Sequence, residues 1–85
     1  MTTKEAERFN TLVGGLLRAA AAFNRKSIAQ VAKETPIDRS TLIRYLDGVR
    51  PIPMPVLYRV CEVIGTTPQE IITDATARMA TGQRD

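Results

Sequence analysis

The stretch from Ser27 to Gly48, SIAQVAKETPIDRSTLIRYLDG, constrains the fold more than any other part of the chain. Two short helical patterns flank Thr35-Pro36, and a proline there both stops a helix and pushes the preceding residue out of helical dihedrals. Ser27 is the expected N-cap of the first pattern, with Gln30 at N3 completing a Ser-x-x-Gln capping pattern and Ile28, Val31 and Ala32 along the run. That helix should stop near Glu34. Asp38 is the expected N-cap of the second, which runs from Arg39 through Leu46 and closes at Gly48. Leu42, Tyr45 and Leu46 fall at i, i+3 and i+4 and form an inward face, leaving Arg39, Ser40, Ile43 and Arg44 directed partly outward. The small side chain of Ala32 lets the two helices cross closely, while Ile37, Leu42 and Tyr45 pin the second against the rest.

Before this pair, Phe9, Leu12, Val13, Leu16, Leu17, Ala20 and Phe23 recur at three- and four-residue spacings, which predicts a helix from about Glu5 to Phe23. Gly14 and Gly15 interrupt it, each at about 1 kcal/mol relative to alanine. Close approach by a neighbouring helix and tolerated local weakness both account for them. After the pair, Arg50 to Pro55 (RPIPMP) is a stiff connector, and only its last proline can open a helix comfortably. Val56, Leu57, Val60, Cys61 and Ile64 then mark an apolar face ended by Gly65. Thr67, Pro68 and Glu70 read as N-cap, N1 and N3 of a capping box that starts a fifth helix bearing Ile71, Ile72, Ala75 and Met79. The expected organisation is all-α: one five-helix domain over residues 1–80 and a frayed tail over 81–85.

Eighty-five residues suffice for one small domain, and 44% apolar with 25% charged residues suits a folded core. One cysteine and no histidine exclude an intrachain disulfide framework and leave no credible zinc cluster, so no metal or cofactor is expected. Without histidine or a compact pair of carboxylates beside a basic partner, no catalytic residue stands out and the chain does not read as an enzyme. Cys61, at apolar helical spacing, reads as core. No apolar run approaches the ~18 residues of a membrane span, and the start MTTKEAERFN lacks a signal-peptide pattern, so a cytoplasmic location without membrane contact is expected. The net charge of +3 is unevenly spread. Residues 1–50 carry nine Lys and Arg against five Asp and Glu, and residues 51–85 three against four. A basic excess of that size suits phosphate contacts made from one face.

The run VAKETPIDRSTLIRYLDG resembles the lambda repressor and Cro family of helix-turn-helix proteins, the xenobiotic-response-element type. It has that family's aliphatic-Ala pair, tight turn, and polar second helix ending in an acidic residue before Gly. LYRVCEVIGTTPQEII is similar to the family's fourth and fifth helices, so the resemblance covers nearly the whole chain. It implies a compact lambda-repressor-like domain that lays its second motif helix, 39–47, in the major groove of double-stranded DNA. Carried onto this chain, it places Arg39, Ser40, Thr41 and Ile43 at base edges. Arg39 can fork onto guanine O6 and N7, Ser40 can donate or accept, and Thr41 and Ile43 can meet a thymine methyl. Each keeps a blander role: an ion pair with Asp38 or Asp47 for Arg39, a local backbone bond for Ser40, burial for Thr41 and Ile43. Ser27, Gln30, Arg44 and Arg50 are the phosphate candidates. Asp47 would repel a phosphate and is assigned a capping or pairing role.

Three features depart from the family pattern. Ile28 stands where glutamine is common, Pro36 replaces the turn glycine and demands a turn of negative φ, and the proline-rich connector follows Gly48. The resemblance implies a transcriptional repressor that occupies an operator, of the Cro type or like the N-terminal domain of a bacteriophage immunity repressor. A domain this small needs a homodimer on a pseudo-palindromic site for useful discrimination, with Ile71, Ile72, Ala75 and Met79 as candidate contacts; core closure is their other reading. The rival function is an antitoxin or accessory module that uses the same fold to bind protein.

Overall fold

The computed structural model describes residues 2–81 and contains five helices in the expected order: α1 (Thr3–Phe23), α2 (Ile28–Glu34), α3 (Arg39–Leu46), α4 (Met54–Ile64) and α5 (Pro68–Thr81). Among the described residues there is no strand, and no helix is long and apolar enough to cross a membrane. α1 starts earlier than its apolar stripe suggests because Thr2 caps it. The Thr2 hydroxyl accepts from the Glu5 N–H at 3.1 Å, and the Glu5 carboxylate accepts from the Thr2 N–H at 2.8 Å. At the other end α5 takes in Thr81, and residues 82–85 of the expected tail lie outside the described residues.

α1, the longest helix, packs against α3, α4 and α5, while α2 packs against α3 and α4. Leu17, Leu42, Val60, Cys61 and Ala75 are wholly enclosed where these helices meet, with Val31 of α2 beside them. Burial pushes the Cys61 thiol up to about 11, consistent with a core side chain. Two of the residues expected to offer a dimer contact are core as well. Ile71 and Ala75 close the domain, and Ile72 packs partly buried against the same cluster, because the apolar stripe of α5 faces α1. Met79 is half-buried, with the Arg8 guanidinium 3.4 Å from its sulfur.

The adjacent glycines of α1 have separate explanations. A Cβ on Gly14 would sit 2.6 Å from the Tyr45 carbonyl oxygen and nearer still to that of Leu46, whereas one on Gly15 would meet nothing within 4 Å. Gly14 therefore permits the α1–α3 crossing, and Gly15 is a tolerated weakness.

The first four helices end alike. A backbone bond reaches back five residues in each: Lys26 to Ala21 (2.8 Å), Ile37 to Ala32 (3.2 Å), Val49 to Arg44 (3.0 Å) and Thr66 to Cys61 (3.0 Å). This Schellman closure requires positive φ at the residue before the donor, and those residues are Arg25 (58°), Pro36 (27°), Gly48 (74°) and Gly65 (99°). The expectation of a negative φ at Pro36 is thus corrected. Ile37 packs against the core and donates to Ala32, which closes the turn between α2 and α3 as at the other helix ends. The expected capping patterns at α2 and α5 also change in part. Ser27 Oγ accepts the Gln30 N–H at 3.1 Å, but the Gln30 amide turns to Glu34 at 3.1 Å instead of returning to Ser27. Thr67 Oγ1 accepts the Glu70 N–H at 3.1 Å and donates to the Glu70 carboxylate at 3.4 Å.

Candidate nucleic-acid interface

α3 is held from its inner side and its C-terminal end. Leu42, Tyr45 and Leu46 are buried, Gly14 lies against the last turn, and Gly48 sits so close to Thr11 that a Cβ would be 2.5 Å from the Thr11 Cα. Arg18 of α1 donates to Asp47 at 2.6 Å, which gives Asp47 the pairing role expected of it. Two further clamps fix the scaffold around the pair: Arg59 Nη2 donates to the Glu34 carbonyl at 2.9 Å, and the buried Thr35 hydroxyl donates to the Val31 carbonyl at 2.7 Å. The Arg59 bond could not be read from spacing, because it joins residues 25 apart, whereas the Thr35 bond is a local contact to the residue four before it.

At the opposite end the helix opens to solvent. Asp38 caps it, accepting from the Thr41 N–H at 3.4 Å and from the Ser40 hydroxyl. The Ser40 bond first, and the Thr41 N–H second, hold the Asp38 carboxyl below its ordinary value, so it is ionised at neutral pH. Arg39 is exposed and makes no hydrogen bond or ion pair among the described residues; neither Asp38 nor Asp47 takes it. Ser40 is exposed but its proton is committed locally to Asp38, the competing role considered for it. Thr41 and Ile43 are half-buried, and Ile43 stays outside the core cluster.

Arg44 is exposed one turn after Ser40, and the Arg50 guanidinium carbon stands 5.9 Å from the centre of the Tyr45 ring. Ser27 and Gln30 lie on α2, where the Ser27 oxygen already serves the helix start and the Gln30 amide holds Glu34. That amide, and next the Lys26 ammonium, keep the Glu34 carboxyl below its ordinary value. The fold therefore gathers Arg39, Ser40, Ile43 and Arg44 on one helix. Arg50 is on the connector beyond it, and no hydrogen bond or ion pair among the described residues joins Ser27 and Gln30 to the α3 group.

The helix-turn-helix domain family matches residues 12–71, from within α1 to the first turn of α5. The chain belongs to the helix-turn-helix domain family. No curated protein and no solved structure matches it. A helix-turn-helix domain is a DNA-binding architecture of regulators, typically without catalytic activity, and its second helix is the one that enters the groove. In this helix-turn-helix protein the second helix of the α2–α3 pair is α3. Ile28, in the first turn of α2, is half-buried and packed against the core. An apolar anchor thus stands at the position where the lambda-repressor-like pattern has a polar one.

Proposed function

We propose that the protein is a sequence-specific regulator of transcription that represses by occupying an operator, with α3 in the major groove of double-stranded DNA. The observation that carries this reading is the state of α3: its inner side and C-terminal end are immobilised against α1, while the exposed guanidinium groups of Arg39 and Arg44 make no hydrogen bond or ion pair among the described residues. An immobilised helix lets short side chains read base edges, since a displaced backbone would lose the geometry of a bidentate contact. Arg39 is the guanine reader, Ser40, Thr41 and Ile43 flank it, and Arg44 and Arg50 bind phosphate. Ser27 and Gln30 approach the backbone from the start of α2 as weaker contacts, each already engaged within its helix. Two copies on a pseudo-palindrome supply the discrimination one small module lacks.

The test is a duplex titration with random and selected DNA over a range of salt. Affinity should fall steeply with salt on both, and the selected duplex should win strongly. Equal, weak binding to every duplex would end this proposal and favour the protein-binding role.

A further inference from the structure

Phe23, the last residue of α1, is 87% exposed, the most exposed large apolar side chain among the described residues. A lone exposed apolar residue is ordinary on a small protein. Phe23 is not alone: it borders a groove of about 460 Å³ between α1 and the start of α5, with Leu16, Ala20 and Ile71 along it and Glu70 and Asp74 on its α5 side. The end of α1 cannot fold inward to cover this groove. The Asn24 amide donates to the Ile64 carbonyl at 2.9 Å, and the backbone turns away at Arg25 with φ 58°. Phe23 is consequently presented outward as a knob beside an apolar slot.

We infer that this surface binds a second copy of the same chain, Phe23 of each copy seated in the groove of the other. Knob and slot on one surface are the requirement of a two-fold interface, in which each patch meets its own counterpart. The charges agree with that occupant. The groove's charged lining is acidic, and two residues beyond the knob stands Arg25, exposed, its guanidinium making no hydrogen bond or ion pair among the described residues. Seating Phe23 brings Arg25 of one copy to Asp74 and Glu70 of the other, and the symmetric partner repeats the contact. Ile71 and Ala75 are core, so α5 alone does not supply a dimer surface; the α1–α5 groove does. Each ring buries about 150–250 Å² of its own surface, which puts the contact at the weak end of specific interfaces and makes the association concentration-dependent.

The inference extends the dimer of the proposed function, and its test needs no DNA, so either can fail while the other stands. Sedimentation velocity should show the molar mass of the full chain rising from monomer toward dimer on concentration to roughly 1 mM, where even a millimolar Kd leaves a large dimer fraction. Phe23→Ser, which removes an exposed ring and leaves the core intact, should remain monomeric. Arg25→Asp and Asp74→Arg should each associate less than wild type alone, since the first sets an acid against Asp74 and Glu70 and the second sets a cation against Arg25 with only Glu70 left to offset it. An equimolar mixture of those two variants should associate, because both contacts are then opposite in sign. A wild-type chain monomeric throughout, a Phe23→Ser chain that associates like wild type, or a mixture that stays monomeric would each overturn the inference, the first leaving the groove to a different partner.

Discussion

At its C-terminal end α3 lies backbone to backbone against α1, with Gly14 under the Tyr45 and Leu46 carbonyls and Arg18 on Asp47; in its first turn Leu42 is core, while among the described residues the polar side chains at the helix start bond only among themselves, through Asp38, Ser40 and Thr41. The same helix is therefore immobile at one end and chemically available at the other. Rigidity comes from a contact that leaves no room for a side chain, and readout comes from side chains that the fold does not use. A reading helix needs both, since groups that hold the helix in place are no longer free to meet a base.

Gly14→Ala is the most severe way to break this arrangement. A methyl group driven into two carbonyl oxygens must push α1 from α3, at about 3 kcal/mol, and the thermal midpoint should drop by about 4–8 °C for each kcal/mol. An unchanged midpoint would mean that the close crossing is absent. At the open end Arg39→Ala should leave the melting curve nearly untouched and cost about 1–3 kcal/mol in preference for one base pair. Arg44→Ala should weaken all duplexes alike and reduce the salt slope by about one phosphate contact. Exchanged phenotypes would reverse the two assignments.

The smaller effects concern residues next to these contacts. Gly15→Ala should gain about 1 kcal/mol in the same helix where its neighbour loses several, as expected for an exposed helical glycine with open space around it. The mildest effect is that of pH. Asp38 and Glu34 have folded-state values below the ordinary carboxylate range, so their support is complete above that range and fades as pH falls through their lowered values. Asp38→Asn should flatten that acid limb in a denaturant titration at successive pH values; an unaltered limb would place the titration elsewhere.

Helix order and the inward face of α3 were legible in the chain because each rests on local rules: proline and glycine punctuation, polar caps, and three-to-four spacing. Thr2-x-x-Glu5 was equally legible and marks the true start of α1. The candidate contacts could be placed on α3 and on its outward part, yet their hydrogen bonds could not. Ser40 choosing Asp38, Gln30 choosing Glu34 and Asp47 choosing Arg18 are outcomes of geometry among several partners of similar chemistry.

The helix terminations mark the same boundary. Gly48 and Gly65 announce positive φ because glycine lacks the Cβ that forbids it, so the ends of α3 and α4 could be read directly. Arg25 and Pro36 take positive φ without a residue type that announces it, so the ends of α1 and α2 could not be read in the same way. The sequence by itself determined five helices and a polar face on the third, since those follow from interactions within a few residues. The tertiary structure decided which glycine is indispensable, which end of α3 is free, and that Ile71 and Ala75 belong to the core, since those depend on what other segments occupy the neighbouring space.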